Sequence, residues 1–139
     1  MNRTFALAGA WLGLTSLGCG GPLTYTVVGT PAAVGADGTL QATIHKEEHE
    51  TKIVLQVKNL PPPTRIAADA KFFVFWARHD ANSTWQRVGN VVYDETGRNG
   101  LFKGSFPEVE FDSEVSVEHD DSPASPSSQI VFSQHVGPA

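Results

Sequence analysis

The chain has 139 residues, of which 40% are hydrophobic and 18% are charged, and its formal net charge is −5. This is the composition of one globular domain, and it excludes a collagen-like or wholly disordered chain. The negative charge argues against a general affinity for nucleic acid, because neutralising phosphates requires clustered Lys and Arg. Seven of the 15 acidic residues lie between Glu108 and Asp121, and Lys103 is the last basic residue.

The first part of the chain has the layout of a secretory signal peptide. It opens with one positive side chain, Arg3, and continues with an uncharged, mainly apolar run from Phe5 to Leu17. That run is too short to cross a bilayer, which needs about 20 apolar residues. Gly18 and Cys19, the single cysteine, follow it directly, so no intramolecular disulfide can form.

The junction at Cys19 resembles the lipobox of bacterial lipoproteins, in which the cysteine is acylated and becomes the first mature residue. Ser16 departs from that pattern, since Leu is usual three places before the cysteine. An ordinary signal peptide with an incidental cysteine is the alternative. The resemblance implies a signal peptide over residues 1–18, lipid attachment at Cys19 and a short anchored linker over residues 19–22. Because Gly20 is not Asp, it also implies the outer membrane, with the periplasmic face and the cell surface both open.

From Leu23 onward the sequence consists of short β-prone runs separated by turn residues. In one of them Ile53, Leu55 and Val57 fall on one face, and the opposite face is polar except for Val54, which is the period of a half-buried strand. The expected strands are Leu23–Val28, Thr39–Ile44, Thr51–Leu60, Lys71–His79, Thr84–Asp94, Asn99–Phe106, Pro107–His119 and Gln129–Val136. About seven or eight strands without a long helical period predict an antiparallel β-sandwich over residues 23–136.

Local signals refine this prediction. Pro61–Pro63 cannot donate to a sheet ladder and should end the third strand. The continuous apolar run Lys71–His79 predicts a strand buried on both faces, with Trp76 as the core aromatic. A bulge is expected at Gly89. The turn "DETG" predicts a hairpin in which Gly97 takes the positive φ.

Several of these pieces, taken together, resemble a known family. They are "LPPP" at Leu60–Pro63, "FVFW" at Phe73–Trp76, Gly89 with "DETG", and "VSVEHDDSPASPSS" at Val115–Ser128. Their order is similar to that in the extracytoplasmic C-terminal domain of anti-sigma-K factors, over roughly residues 55–132. The resemblance implies an immunoglobulin-like sandwich outside the cytoplasm and brings no catalytic residues. We expect no sigma-factor binding, because no sigma-binding region or transmembrane helix is recognisable in the sequence.

The stretch "HKEEH" matches the H-x-x-E-H pattern of some zinc peptidases at His45, Glu48 and His49. Such a site needs a helix, because the spacing i, i+4 places both imidazoles on one helical face. Here the residues lie between two runs of period two, so a solvated hairpin turn is predicted. On a strand the two histidines would lie about 13 Å apart.

Two other groups of potential metal ligands fall at strand ends and could converge on one rim of a sandwich. One is His79 with Asp80, and the other is the run Glu118, His119, Asp120 and Asp121. Ca²⁺ would prefer the carboxylates of the second group, but their spacing fits no defined calcium loop. We therefore predict no metal site or cofactor, and keep metal or small-ligand binding as the alternative function.

The acidic row Glu108, Glu110, Asp112 and Glu114 is expected on one face of one strand. It could be the solvated face of an edge strand that charge protects from aggregation. It could also be a docking face for a basic partner. We favour an exported, lipid-anchored, non-enzymatic envelope protein that acts as an interaction, sensing or structural module, with that row as the partner-binding face.

Overall fold

The computed structural model describes residues 21–138. Within them the chain forms eight strands and almost no helix: β1 Leu23–Val28, β2 Asp37–His45, β3 Glu50–Lys58, β4 Phe72–Arg78, β5 Gln86–Asp94, β6 Asn99–Phe106, β7 Phe111–Glu118 and β8 Ile130–Val136. A 3₁₀ turn covers Pro31–Ala33, and one short helix, α1, covers Pro63–Ile66. The predicted signal peptide and Cys19 lie outside the described residues. Among residues 21–138, no helix has the length and apolarity needed to span a bilayer.

The strands follow one another in the order β1-β2-β3-β6-β5-β4-β7-β8, and every neighbouring pair is antiparallel. β5 connects the two halves of this sheet. Its first part pairs with β4, whereas its last residues, from Val92 to Asp94, pair with β6. The sheet therefore folds into two layers, one of β1, β2, β3 and β6 and the other of β4, β7 and β8. The predicted antiparallel all-β sandwich is confirmed.

The two ends of the sheet, β1 and β8, are joined to each other. The backbone N–H of Thr30 donates to the carbonyl of Val131 over 2.9 Å. At the other end of the pair, the Tyr25 hydroxyl donates to the carbonyl of Gly137 over 3.1 Å and accepts from the Gly137 N–H over 3.0 Å. The sheet is nearly closed, which shields the polar groups that edge strands would otherwise present to other chains.

Aromatic rings fill the core between the two layers. Phe75 of β4 stacks on Phe102 of β6, with ring centroids 4.5 Å apart and an interplanar angle of 7°. Phe73 meets Tyr93 edge to face at 5.2 Å. Each fully buried aromatic side chain contributes about 2 to 3 kcal/mol through the apolar area that it removes from water. The apolar alternation seen in the sequence is thus the alternation between core and outer face.

The β4–β5 pair contains the expected bulge. Phe75 lies opposite Gly89, whereas Trp76 lies opposite Arg87, so Val88 is the extra residue. Gly89 leaves room for the core, because a Cβ at this position would come within 2.8 Å of Phe102 Cε2. The bulge predicted at Gly89 is confirmed to within one residue.

Trp76 is fully buried, but not in the central core. Phe73, Phe75 and Ala77 of β4 join the central cluster, whereas Val74 and Trp76 are buried on the opposite face of the strand. The prediction that this strand is buried on both faces is confirmed, as is the prediction that Trp76 is a buried core aromatic. Period two explains the two faces, since adjacent residues on one strand point to opposite faces.

The "DETG" turn joins β5 and β6 as a hairpin, but Gly97 does not supply the positive φ. That backbone conformation belongs to Arg98, with φ of 55°. Gly97 instead lies close to the ends of two exposed side chains. A Cβ there would lie 2.8 Å from Asp94 Oδ2 and 2.7 Å from Asn99 Nδ2. The predicted hairpin is confirmed, and the role given to its glycine is wrong.

Candidate functional site at one end of the sandwich

Three carboxylates of the acidic row lie at one end of the sandwich, Glu114 lies nearer the middle of β7, and the four are not on one strand. Glu108 and Glu110 precede β7, in the connection from β6, and only Asp112 and Glu114 are on the strand. The prediction of a single strand face is therefore wrong for the first two. Pro107, which directly follows β6, has no N–H for a ladder, and the chain there crosses from one layer to the other. We call Glu108, Glu110, Asp112 and Glu114 the acidic rim.

β7 is not an edge strand, because it lies between β4 and β8. The expectation of a solvated edge protected by charge is wrong. The carboxylates of β7 instead face cross-strand partners, since Asp112 pairs in register with Arg78 on β4 and with His135 on β8. Opposite charges across a strand pair stabilise a sheet, which is why acids are tolerated at an interior strand.

Side chains from three separate elements of the fold contact Glu108. His49, from the β2–β3 turn, places Nε2 3.2 Å from Glu108 Oε2. His79, directly after β4, places Nδ1 3.3 Å from Glu108 Oε1. The Thr51 hydroxyl donates to the backbone carbonyl of Glu108 over 2.7 Å. One carboxylate is therefore shared by two exposed imidazoles from different layers.

A third histidine, His135, contacts two other carboxylates of the rim. Its Nδ1 lies 2.9 Å from Asp112 Oδ1, and its Nε2 lies 3.0 Å from Glu110 Oε1. Hydrogen bonds to Asp112 and then to Glu110 raise the pKa of His135 above its usual range. Arg78 Nε contacts the other oxygen of Asp112 at 3.3 Å, and its guanidinium stacks over the Trp85 ring at 4.2 Å. Three histidines and one arginine thus contact three of the four carboxylates.

Glu114 is the member of the rim that makes no ion pair within the described residues. It is half-buried on the outer face of β7, opposite Trp76 and Ser133. Burial raises the pKa of its carboxyl, and the charge of Arg78 partly opposes that effect. Glu114 is accordingly the rim carboxylate that burial, and not an ion pair, sets apart.

The "HKEEH" stretch forms a hairpin connection, as predicted. His45 is the last residue of β2 and pairs with Glu50, while Lys46–His49 make the turn, in which His49 has φ of 53°. No helix carries the pattern. His49 is nevertheless more than a solvated turn residue, since its ring contacts Glu108, 59 residues away. In residues 21–138, no three His, Cys, Asp or Glu side chains are arranged to hold a metal ion.

The two other groups of potential ligands lie at opposite ends of the sandwich. His79 follows the end of β4, whereas Glu118 ends β7, and these antiparallel strands pair so that Glu118 faces Phe72 at the start of β4. A strand of this length separates its ends by about 20 Å. The expected convergence of these groups on one rim is therefore wrong. His119 Nε2 lies 2.8 Å from the carbonyl oxygen of Ala68.

Glu118 is buried and serves the structure. Its Oε2 accepts hydrogen bonds from the Ser116 hydroxyl and from the backbone N–H of Ser127, the latter over 2.7 Å. The Trp76 indole N–H donates to Ser116 Oγ over 2.8 Å. This chain of donors and acceptors ties the connection between β7 and β8 to the outer face of the sheet.

A cleft of about 460 Å³ opens at the end of the sandwich opposite the acidic rim. Its walls expose polar and apolar surface in similar amounts, and Lys71 and Glu95 supply its charges. The lining residues are Pro62, Pro63, Thr64, Ala70, Lys71, Phe72, Phe73, Val91, Tyr93 and Glu95. Burial raises the pKa of Tyr93, whose hydroxyl donates to the carbonyl of Leu60 over 2.6 Å. The sequence did not single out this cleft, because its residues come from three separate segments.

Sequence reasoning found the acids of the rim but missed the histidines that contact them. In the sequence, His49 and His79 stand out only with their chain neighbours, as parts of short metal-ligand patterns. The signal that could have linked them is topological, since the ends of β2, β4, β6 and β8 must meet at one end of an antiparallel sheet of this order.

No protein-family model matches the chain, and no curated protein matches it. The arrangement of the chain's own residues is therefore the basis on which a function is assigned.

Proposed function

We propose that this protein is a non-enzymatic, lipid-anchored module of the cell envelope that binds a basic partner through the acidic rim. One observation carries the proposal, namely that the rim lies at the same end of the sandwich as the start of β1. Leu23 pairs with Ala42 near the end of β2, and Tyr25 is hydrogen-bonded to Gly137 just after β8. The β2–β3 turn and the β6–β7 connection lie at that end as well.

Cys19 is four residues before Leu23 in the sequence. Four residues span at most about 14 Å. An acyl anchor on Cys19 would therefore keep the acidic rim close to the membrane surface. A partner that reaches the rim would be a basic segment of an envelope protein that emerges from the membrane nearby.

The charges of the domain favour a basic partner over an acidic one. The rim has four carboxylates against the single guanidinium of Arg78. Lys52 and Lys103 lie instead on exposed positions of β3 and β6, in the other layer. Complementary charge speeds association and selects partners more than it adds affinity. The rim is thus suited to selective, salt-sensitive docking.

The anchor is tested by changing its attachment residue. Cys19→Ser should release the protein from the membrane fraction into the soluble envelope fraction, because acylation requires the thiol. Cell fractionation and metabolic labelling with a fatty acid measure this. Equal membrane association and labelling of both forms would overturn the anchor.

The docking is tested by in-cell cross-linking with matched charge variants. Capture of an envelope partner should be lost when the rim carries Glu108→Gln, Glu110→Gln, Asp112→Asn and Glu114→Gln together. The control removes as many exposed charges at the opposite end, through Asp69→Asn, Glu95→Gln, Asp120→Asn and Asp121→Asn. Equal capture by the two variants, or no capture by the wild type, would contradict docking at the rim.

The cleft near Pro63 favours a second candidate function, the binding of a small ligand with both an apolar and a polar part. Its volume of about 460 Å³ is within the usual range for ligand pockets. The probe is the anionic apolar dye 1-anilinonaphthalene-8-sulfonate, whose sulfonate would meet Lys71. Its fluorescence should rise with the wild type and not with Thr64→Trp, which fills the cleft. An equal rise with both proteins would remove this candidate.

A further inference from the structure

Three histidines contact carboxylates of the acidic rim that a basic partner would need. His49 and His79 contact the two oxygens of Glu108, and His135 contacts Glu110 and Asp112. We propose that these histidines gate the rim by pH, so that it binds a basic partner weakly when they are protonated and more strongly when they are neutral. This inference rests on the proposed function and adds its regulation.

The gate follows from a change of charge at the rim. With neutral imidazoles, four carboxylates and the Arg78 guanidinium leave three net negative charges. Protonation of His49, His79 and His135 cancels all three. Histidine is the side chain whose ordinary titration falls between about pH 5 and 8. The lysine residues of a basic partner stay charged throughout that range, so only the charge at the rim changes with pH.

Carboxylates lie beside each imidazole of the gate. His49 faces Glu108 from the other layer, and Glu48 and Lys46 share its turn. His79 faces Glu108 and also lies 3.9 Å from Asp80 Oδ2.

The same holds on the other side of the rim. His135 faces Glu110 and Asp112, and Arg78 occupies the second oxygen of Asp112. These hydrogen bonds raise the pKa of His135. The cationic side chains beside the histidines are Arg78, which contacts Asp112, and Lys46, which lies in the turn that carries His49.

The exposure of the imidazoles makes the gate reversible. The side chains of His49, His79 and His135 are 63%, 61% and 54% exposed. Exposed ion pairs are worth less than about 1 kcal/mol each, so an incoming ammonium can displace a neutral imidazole. The backbone of the rim need not move.

The test measures binding of a fluorescein-labelled octalysine peptide to the full chain, purified with its anchor in detergent. Fluorescence anisotropy is recorded at low salt at about pH 5.5 and about pH 8. For the wild type, affinity should be about tenfold higher at the higher pH, which corresponds to about 1.4 kcal/mol.

The gate variant carries His49→Asn, His79→Gln and His135→Gln. Asn is chosen for the first position because it tolerates the positive φ of His49. This variant should bind at both pH values as tightly as the wild type does at about pH 8. The matched control is His119→Gln at the opposite end, which should keep the full pH dependence.

The outcomes separate the gate from the docking. Binding by the wild type that is equally strong at both pH values overturns the gate and leaves the docking intact. A pH dependence that persists in the gate variant also overturns the gate. No binding by either protein, or binding unchanged by the four substitutions of the rim carboxylates, overturns the docking and the gate together.

Discussion

Single buried polar groups in this protein are matched to specific partners, and Glu118 is the clearest case. Its buried carboxylate accepts hydrogen bonds from Ser116 and Ser127, and Ser116 in turn accepts from Trp76. A buried donor that loses its acceptor costs about 1 to 3 kcal/mol. The network therefore holds the connection after β7 in place only while Glu118 is present.

Glu118→Ala should lower the free energy of unfolding by about 2 kcal/mol or more, because it leaves the Ser116 hydroxyl and the Ser127 N–H without their acceptor. Urea unfolding followed by Trp fluorescence measures this. Glu95→Ala, at an exposed position of the β5–β6 hairpin, is the control and should change stability by less than about 0.5 kcal/mol. Similar losses for both variants would contradict a structural role for the network.

Gly89 is the second residue with a sharply defined role. Gly89→Ala should cost about 1 to 3 kcal/mol, because its Cβ would press on the Phe102 ring that stacks on Phe75. Gly21→Ala is the control, since a Cβ there meets nothing within 4 Å. Calorimetry measures the melting temperatures of the two variants. An unchanged melting temperature for Gly89→Ala would show that the Phe102 ring can shift to accommodate the added Cβ.

Among the structural elements, the β6–β7 connection depends most on contacts from elsewhere. It contains Glu108 and Glu110, which contact His49, His79 and His135 from the β2–β3 turn and from the ends of β4 and β8. The connection has no regular backbone hydrogen bonding of its own. Its position therefore depends on side-chain contacts with three other elements.

The pH dependence of stability tests this at His135. A pKa that is raised in the folded state contributes stability that is complete below about pH 6.5 and is lost as pH rises through the folded pKa. His135→Gln should therefore destabilise the protein at about pH 6 but hardly at about pH 8.5, by less than about 1 kcal/mol because the site is exposed. Urea midpoints at both pH values measure the difference. An equal effect at both would mean that packing, and not charge, explains it.

On the scale of the whole molecule, closure of the sheet depends on few contacts between β1 and β8. Tyr25 and Thr30 supply side-chain hydrogen bonds to Gly137 and Ile130 at the two ends of this junction. An exposed sheet edge invites pairing with other chains. Closure should therefore affect both stability and self-association.

Tyr25→Phe should cost about 1 kcal/mol and speed amide hydrogen exchange in β1 and β8, because both hydrogen bonds between the Tyr25 hydroxyl and Gly137 are lost. Thr26→Val, on the exposed face of β1, is the control. Exchange that is unchanged in Tyr25→Phe would show that backbone contacts alone close the sheet.

The strands could be predicted from the sequence because period two and turn residues are local signals. Such signals need no tertiary information, and the strands Leu23–Val28 and Asn99–Phe106 match the expected ones in both bounds. Glu108 and Glu110 were assigned to a strand because they extend the alternating pattern of β7 toward the N-terminus. Pro107 ends the ladder of β6, and the residues that follow it belong to the connection before β7. The continuous apolar run around Trp76 correctly indicated burial on both faces of β4.

By itself, the sequence determined the all-β class, the number of strands and the acidic character of the segment from Glu108 to Glu114, since each depends on neighbouring residues. Only the tertiary structure decided that β7 is an interior strand and that His49 and His79 share Glu108. Those facts depend on strand order, and strand order is set by packing between residues far apart in the chain. The contact between His49 and Glu108 spans 59 residues, and no local pattern encodes it.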